Sequence, residues 1–129
     1  MLRFIVPGDP VAFARAGTNG KRRYTPPKQA AAMRTIQNKA LQAFRGREFL
    51  EGALRVEIEA VYTAPQSWSA KKKAETEYKT SKPDVDNLCK LILDSLTGII
   101  WKDDQIVSHI EVTKRYGETP YTSIFVDLI

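Results

Sequence analysis

The segment Lys82-Pro83-Asp84-Val85-Asp86-Asn87 sets two carboxylates two residues apart, directly after a proline. Proline biases Lys82 toward an extended backbone, and residues two apart on an extended chain point the same way, so Asp84 and Asp86 can converge on one cation. Asp86 reads as the N-cap of a helix, with Lys90 one turn beyond it. Two hard oxygen donors beside an ammonium suit Mg2+, which takes one or two carboxylates together with water and phosphate oxygens. That is the beginning of a phosphodiester-hydrolysing site. Each residue also has a plainer role: Asp86 as a helix cap, Asp84 as a turn residue, Lys90 as a solvated helix position. A second acidic pair shifts the balance. Trp101-Lys102-Asp103-Asp104 follows the helix, where a short connection can bring one aspartate back to the first pair. Asp94, two turns from Asp86, can join them but reads more readily as solvent-facing.

Other catalytic schemes find less to work with. His109 is the only histidine and falls on an expected strand, and neither a Gly-x-Ser-x-Gly elbow nor a phosphate-cradling glycine loop is present. Cys89 is the only cysteine, which excludes a disulfide framework and an all-cysteine zinc site; zinc on His109 lacks partners. Cys89 reads as a small packed side chain. A restriction-nuclease arrangement needs acid-x-Lys downstream of Pro-Asp, whereas Glu77-Tyr78-Lys79 precedes Pro83-Asp84.

Charge is divided along the chain. Residues 1–50 carry ten Lys and Arg against two acids, a surplus of eight, and the remainder is negative by three, for a net charge of +5. This suits a polyanion held by one part and a cation by the other; a solvated, charge-segregated surface is the plain alternative. Arg15, Lys21, Arg22 and Arg23, interspersed with Gly17 and Gly20, read as a basic loop from Ala14 to Tyr24 suited to phosphates and a stacked base. Trp68 with Lys71, Lys72 and Lys73, continuing to Tyr78, suits single-stranded or distorted nucleic acid; Trp68 as a lid over the core fits equally well.

These groups must be held by a fold that 129 residues, 43% hydrophobic and 27% charged, can build. Length and composition indicate one domain over residues 1–129 and exclude collagen-like and wholly disordered chains. Leu2, Phe4 and Val6 share one face of a short strand, and Thr25-Pro26-Pro27 reads as an N-cap and first turn opening a helix to about Phe44. Leu54, Val56, Ile58, Ala60 and Tyr62 alternate with Arg55, Glu57 and Glu59 as the clearest strand. Ser69 reads as the cap of a short Ala-Lys-Glu helix, and Leu88, Leu91, Ile92 and Leu96 recur at helical spacing over roughly Asp86–Leu96. Ile106 to Thr113 and Ser123 to Leu128 alternate as two further strands, with a turn at Tyr116–Pro120 between them. The expectation is an α+β fold, a mixed or antiparallel sheet of about four strands with two main helices on one face. No run of about 20 apolar residues occurs, and Met1 to Val6 lacks the apolar core of a signal peptide, so no membrane is expected and a reducing cytoplasm is the expected location.

Read together, these motifs resemble the RusA family of Holliday-junction resolvases of bacteria and their phages. Lys82-Pro-Asp84-Val-Asp86-Asn87-Leu88 with Lys90, Leu93-Asp94-Ser-Leu96-Thr-Gly98 and Trp101-Lys102-Asp103-Asp104 carry the resemblance. Pro65-Gln-Ser67-Trp68-Ser69, Lys114-Arg-Tyr116-Gly117-Glu118 and Phe4 to Pro10 with Tyr24-Thr25-Pro26 extend it over most of the chain. The resemblance implies a Mg2+-dependent homodimeric endonuclease, with Mn2+ as a substitute ion, that binds four-way DNA junctions by shape and nicks two opposing strands symmetrically in recombination and repair. Matching positions imply Asp84, Asp86 and Asp104 as catalytic acids and metal ligands, and Lys90 as the essential lysine. Alignment on Trp101 selects Asp104 as the third acid, whereas alignment on Gln105 selects Asp103, so both stand as candidate ligands. Arg15, Lys21, Arg22, Arg23, Trp68, Lys71, Lys72 and Lys73 are candidate DNA contacts. Two other readings stay open: a non-catalytic basic DNA-binding accessory protein, and a metal nuclease acting on other branched nucleic acids.

Overall fold

The chain opens on alternation. In a computed structural model, which describes residues 1–14, 17–19 and 22–129 and for 17–19 and 22–24 the backbone alone, strand β1 (Leu2–Pro7) buries Leu2, Phe4 and Val6 and exposes Arg3 and Ile5. The stretch expected to be a basic loop instead contains a small antiparallel ribbon, β2 (Gly17–Asn19) with β3 (Arg22–Tyr24). Three-residue strands without apolar alternation leave no pattern to read. Arg15 and Lys21 lie outside the described residues, and Arg22 and Arg23 are placed on β3 by their backbone only.

Helix α1 (Pro27–Phe44) is capped by Pro26 rather than by Thr25. The reason is steric: a residue preceding proline is kept out of the helical region, and Pro26 sits at φ −53, ψ 138 with Pro27 inside the first turn. Its buried face is Ile36, Ala40 and Phe44, joined by Gln29, whose side-chain carbonyl accepts the Ala14 N–H at 2.8 Å. Strand β4 (Leu54–Tyr62) buries its even-numbered residues up to Ala60. Helix α2 (Ala70–Glu75) carries the expected cap, the Ser69 hydroxyl accepting from the Lys72 N–H at 3.1 Å. Helix α3 (Val85–Leu96) buries Leu88, Leu91, Ile92 and Leu96. A single 3-10 turn at Asp104–Ile106 leads into β5 (Val107–Tyr116), and β6 (Tyr121–Leu128) closes the chain.

The four long strands form one mixed sheet in the order β1-β6-β4-β5, with β4 and β5 parallel and the other pairs antiparallel. Parallel neighbours need a long crossover, and here it is the connection carrying α2 and α3. The helices share one face: α1 packs on β1 and α3, and α3 on β5. Between them and the sheet lie Phe4, Phe44, Leu54, Ile58, Leu96, Trp101 and Ile124, all in one buried cluster.

Although only a short link joins β5 to β6, β4 lies between them. The link steps over the end of β4, where the Gly117 N–H donates to the Tyr62 carbonyl at 2.8 Å. A Cβ at Gly117 would meet Val61 Cγ1 at 2.7 Å, so only glycine allows this passage. No helix among the described residues is long and apolar enough to cross a membrane.

Candidate active site

Asp84 and Asp86 flank the start of α3. The chain turns helical at Val85, one residue after Asp84, which stays extended at φ −74, ψ 148 and supplies the carbonyl that accepts the Leu88 N–H at 3.2 Å. Asp84 is therefore the N-cap, and the expected cap, Asp86, belongs to the first helical turn. The two carboxylates do not share a strand face; they stand two residues apart around a helix start. Both residues are exposed. One Asp86 oxygen accepts the Asn87 N–H at 3.0 Å, and among the described residues no donor bonds the Asp84 carboxylate. The unpaired N–H groups and the positive dipole end of a helix start favour negative charge, whether carboxylate or phosphate.

Lys90 lies one turn along, as its spacing requires, but its ammonium reaches onward to Asp94 at 3.1 Å rather than back to Asp86. It also lies 4.9 Å from the centre of the Phe13 ring. The Phe13 N–H in turn donates to the Asn87 carbonyl at 2.9 Å, which docks the segment leading to the basic ribbon against α3. Asp94, read from sequence as solvent-facing, is a half-exposed ion-pair partner. Phe13 was not legible as a site neighbour; a lone aromatic in an irregular segment gives no periodic signal.

The connection after α3 is held by its apolar residues. Trp101 is fully buried and its indole N–H donates to the Thr97 hydroxyl at 3.0 Å, while Gly98, at φ +86, donates to the Trp101 carbonyl at 2.8 Å. Trp101 is thus an anchor that fixes where the next acids emerge. Those acids divide the work. The exposed Asp103 carboxylate accepts the Gln105 N–H at 3.3 Å and caps the 3-10 turn. Asp104 is half-buried, and its charge is felt at Cys89 on α3. Burial pushes the Cys89 thiol pKa up, and the charges of Asp104, Asp86 and Asp94 push it further. Cys89 thus marks the helix face on which the fields of these acids meet.

Among the described residues, no three or more carboxylate, imidazole or thiol groups are gathered closely enough to hold an ion by themselves. The donor set nevertheless fits a hard dication: Asp84 and Asp86 offer exposed carboxylate oxygens at a helix head, and Mg2+ needs only one or two such ligands with water and phosphate oxygens completing its shell. The charge of Asp104 reaches Cys89 on the same helix, without closing a three-acid cluster.

The second basic stretch is partly engaged. Lys71, Lys72 and Lys73 are all exposed on α2, and Lys72 lies 4.3 Å over the Trp68 ring. Trp68 meets Tyr116 edge to face at 5.2 Å, and Lys79 lies near the rings of both Tyr62 and Tyr116. An open groove of about 570 Å³ beside this cluster is lined by Ala70, Lys73, Tyr116 and Glu118 among others. Its lining sets one ring, Tyr116, one ammonium, Lys73, and one carboxylate, Glu118, among small residues.

A family model described as Endodeoxyribonuclease RusA matches residues 7–127. The chain is also 31% identical over 134 residues to the uncharacterized protein YqaN of Bacillus subtilis (strain 168), an alignment covering 97% of this chain and 94% of the relative.

Proposed function

The chain belongs to the RusA endodeoxyribonuclease family, and from that premise we propose that it is a Mg2+-dependent resolvase that cuts four-way DNA junctions in paired, symmetric nicks as a homodimer. The observation that carries this reading is the placing of Asp84 and Asp86 around the head of α3, with Lys90 one turn behind them. Asp84, Asp86 and Asp104 are the acids of the site, with Asp103 kept as the cap of its turn. Bound there, one or two divalent ions would supply an activated water and charge stabilisation at the attacking and leaving oxygens, and Mn2+ would substitute.

The chain's own residues do the rest. Asp84 and Asp86 concentrate negative charge at an exposed helix end, so a phosphodiester is welcome only with a cation. The Lys90 ammonium, held by an exposed carboxylate and a ring, is free to swing onto a non-bridging phosphate oxygen and stabilise the charge that builds on phosphorus. In-line attack then breaks the P–O3′ bond and leaves a 3′ hydroxyl and a 5′ phosphate. Lys71, Lys72 and Lys73, with Trp68 and the basic 15–23 segment containing Arg15, Lys21, Arg22 and Arg23, hold the junction arms, which makes binding strongly salt-dependent. Two such centres related by a two-fold axis match the symmetry of a junction.

The test is cleavage of a labelled mobile four-way junction, with linear duplex and single strands as controls, in Mg2+ and in EDTA, beside Asp86→Asn. Paired Mg2+-dependent nicks on the junction, reduced at least about 100-fold in the variant while binding survives, are expected. Tight junction binding with no cleavage in Mg2+ or Mn2+ would overturn the reading in favour of a binding protein. Equal cutting of flaps or other branched substrates would make it a broader branched-nucleic-acid nuclease.

A further inference from the structure

In register with the buried Val56, Ile58 and Ala60 of β4 come the exposed Ile110 and the half-buried Val112 and Lys114 of β5, Lys114 opposite Ala60. A half-buried ammonium in that register needs strong acceptors, since a charge left without them is costly. Lys114 finds two backbone carbonyls: that of Ser81 at 2.7 Å, 33 residues upstream, and that of Pro83 at 2.8 Å, 31 residues upstream. The backbone adds its own stitches, the Lys79 N–H donating to the Lys114 carbonyl at 3.1 Å and the Tyr116 N–H to the Glu77 carbonyl at 2.8 Å. The segment 77–83 is thereby fastened along the C-terminal half of β5. The carbonyl of Pro83 belongs to the same peptide plane as the Asp84 N–H, so an ammonium that fixes that oxygen fixes the direction in which the chain enters Asp84. Asp84 then passes the constraint on, since its carbonyl accepts the first helical bond, from Leu88.

We propose that Lys114 is a positioning residue of the active site: by clamping the carbonyls of Ser81 and Pro83 it sets the orientation of Asp84 at the head of α3, and through it the affinity of the site for a divalent cation. The inference rests on the metal-nuclease reading of Asp84. Lys114 touches neither ion nor DNA; its effect runs through the turn. Supporting groups behind metal ligands typically change affinity or activity about 10- to 100-fold when removed.

The test compares wild type, Lys114→Met and Lys114→Arg, with Glu51→Gln, at an exposed position that takes no part in ion or DNA binding, as a control. Three quantities are read: amide hydrogen exchange at residues 84–88 in metal-free protein, the Mn2+ binding midpoint from the EPR signal of free Mn2+, and kcat and KM on the junction. In Lys114→Met, exchange at the α3 head is expected to speed up and the Mn2+ midpoint to rise about ten-fold. The value of kcat falls with KM within about two-fold of wild type, and Lys114→Arg, whose fork can span both carbonyls, restores most of the loss. A folded Lys114→Met with wild-type Mn2+ midpoint and kcat would overturn the proposal, as would unchanged exchange at 84–88. If Lys114→Met does not fold, Lys114→Gln replaces it, and equal Mn2+ midpoints in Lys114→Gln and Lys114→Arg would overturn it. A wild-type protein that neither binds Mn2+ nor cuts the junction overturns the metal-dependent function, and with it any effect of Lys114 on metal affinity; hydrogen exchange still reads separately whether Lys114 holds the turn.

Discussion

Replacing Asp94 with asparagine is expected to leave catalysis intact, and the geometry says by how much. The Lys90–Asp94 pair closes at 3.1 Å across one helical turn, with its side chains 51% and 39% exposed. Pairs of this kind stabilise a helix by about 0.3–0.5 kcal/mol. The Phe13 ring beside the same ammonium adds about 0.5–1 kcal/mol at an exposed site. Drawing Lys90 away from Asp94 onto a scissile phosphate therefore costs at most about 0.5 kcal/mol of pairing, a factor of about two in rate. Asp94→Asn removes that cost in advance. Initial cleavage rates at saturating Mg2+ should rise by no more than about two-fold, and urea denaturation should show a stability loss of at most about 0.5 kcal/mol. A ten-fold or greater fall in cleavage would refute the reasoning. That much corresponds to about 1.4 kcal/mol of lost transition-state stabilisation, more than the pair holds, and would mean that Asp94 works directly on the ion or the phosphate.

Two further outcomes follow from Tyr62, at the end of β4, and from Cys89, in α3. The Tyr62 hydroxyl is buried without a hydrogen-bond partner among the described residues, and its pKa is pushed up to about 12, by burial first and then by Asp9. Because the folded state holds this proton more tightly than the unfolded chain, the stability it contributes is complete below pH 10 and is lost as pH rises from 10 toward 12. The loss is at most about 2–3 kcal/mol, and less to the extent that water reaches the group. Tyr62→Phe should unfold at equal or higher urea concentration at pH 8, by up to about 1 kcal/mol, and lose the alkaline weakening between pH 10 and 12 that wild type shows; parallel curves for the two would refute it. At Cys89, Asp104→Asn should lower the raised thiol pKa and speed alkylation by iodoacetamide at pH 8, whereas Asp103→Asn should leave it within error of wild type. Equal acceleration by both would show that the charge of Asp103, too, is felt at Cys89.

The sheet was readable because β1 and most of β4 bury every second residue and β6 buries Thr122, Ile124 and Val126, and the mixed α+β architecture follows from their order around two amphipathic helices. The position of β4 between β5 and β6 was not, because a short polar link with glycine and proline looks the same whether it makes a hairpin or steps over a neighbouring strand. That Asp84 and Asp86 stand at the start of a helix was legible from Pro83-Asp84-Val85-Asp86, but not their exact places on it. Either aspartate is a good N-cap, and the extended conformation of Asp84 settles the matter. Lys114 left a usable trace: it follows Ile110 and Val112 at the next position on the same side of the strand, and a half-buried charge there asks for a partner. What sequence could not supply was that the partner is backbone more than 30 residues away.

The long crossover from β4 to β5 thus carries every candidate catalytic group, and its geometry explains why the acids stand apart. Helix α3 has 12 residues, so its two ends are about 18 Å from one another. Asp84 and Asp86 belong to its first end, and Asp103 and Asp104 follow its last. Only the turn at Gly98 and the burial of Trp101 fold the chain back far enough for the charge of Asp104 to act on Cys89, one turn into the helix. The result is an acidic stretch at α3 in which the Lys90 ammonium is already paired with Asp94. Such a stretch repels a phosphodiester unless cations neutralise it, while the positive charge surplus of the chain lies in residues 1–50. Under the proposed function, the basic segments draw DNA in, and a scissile phosphate settles at the head of α3 only when a divalent ion has made that acidic surface hospitable to it.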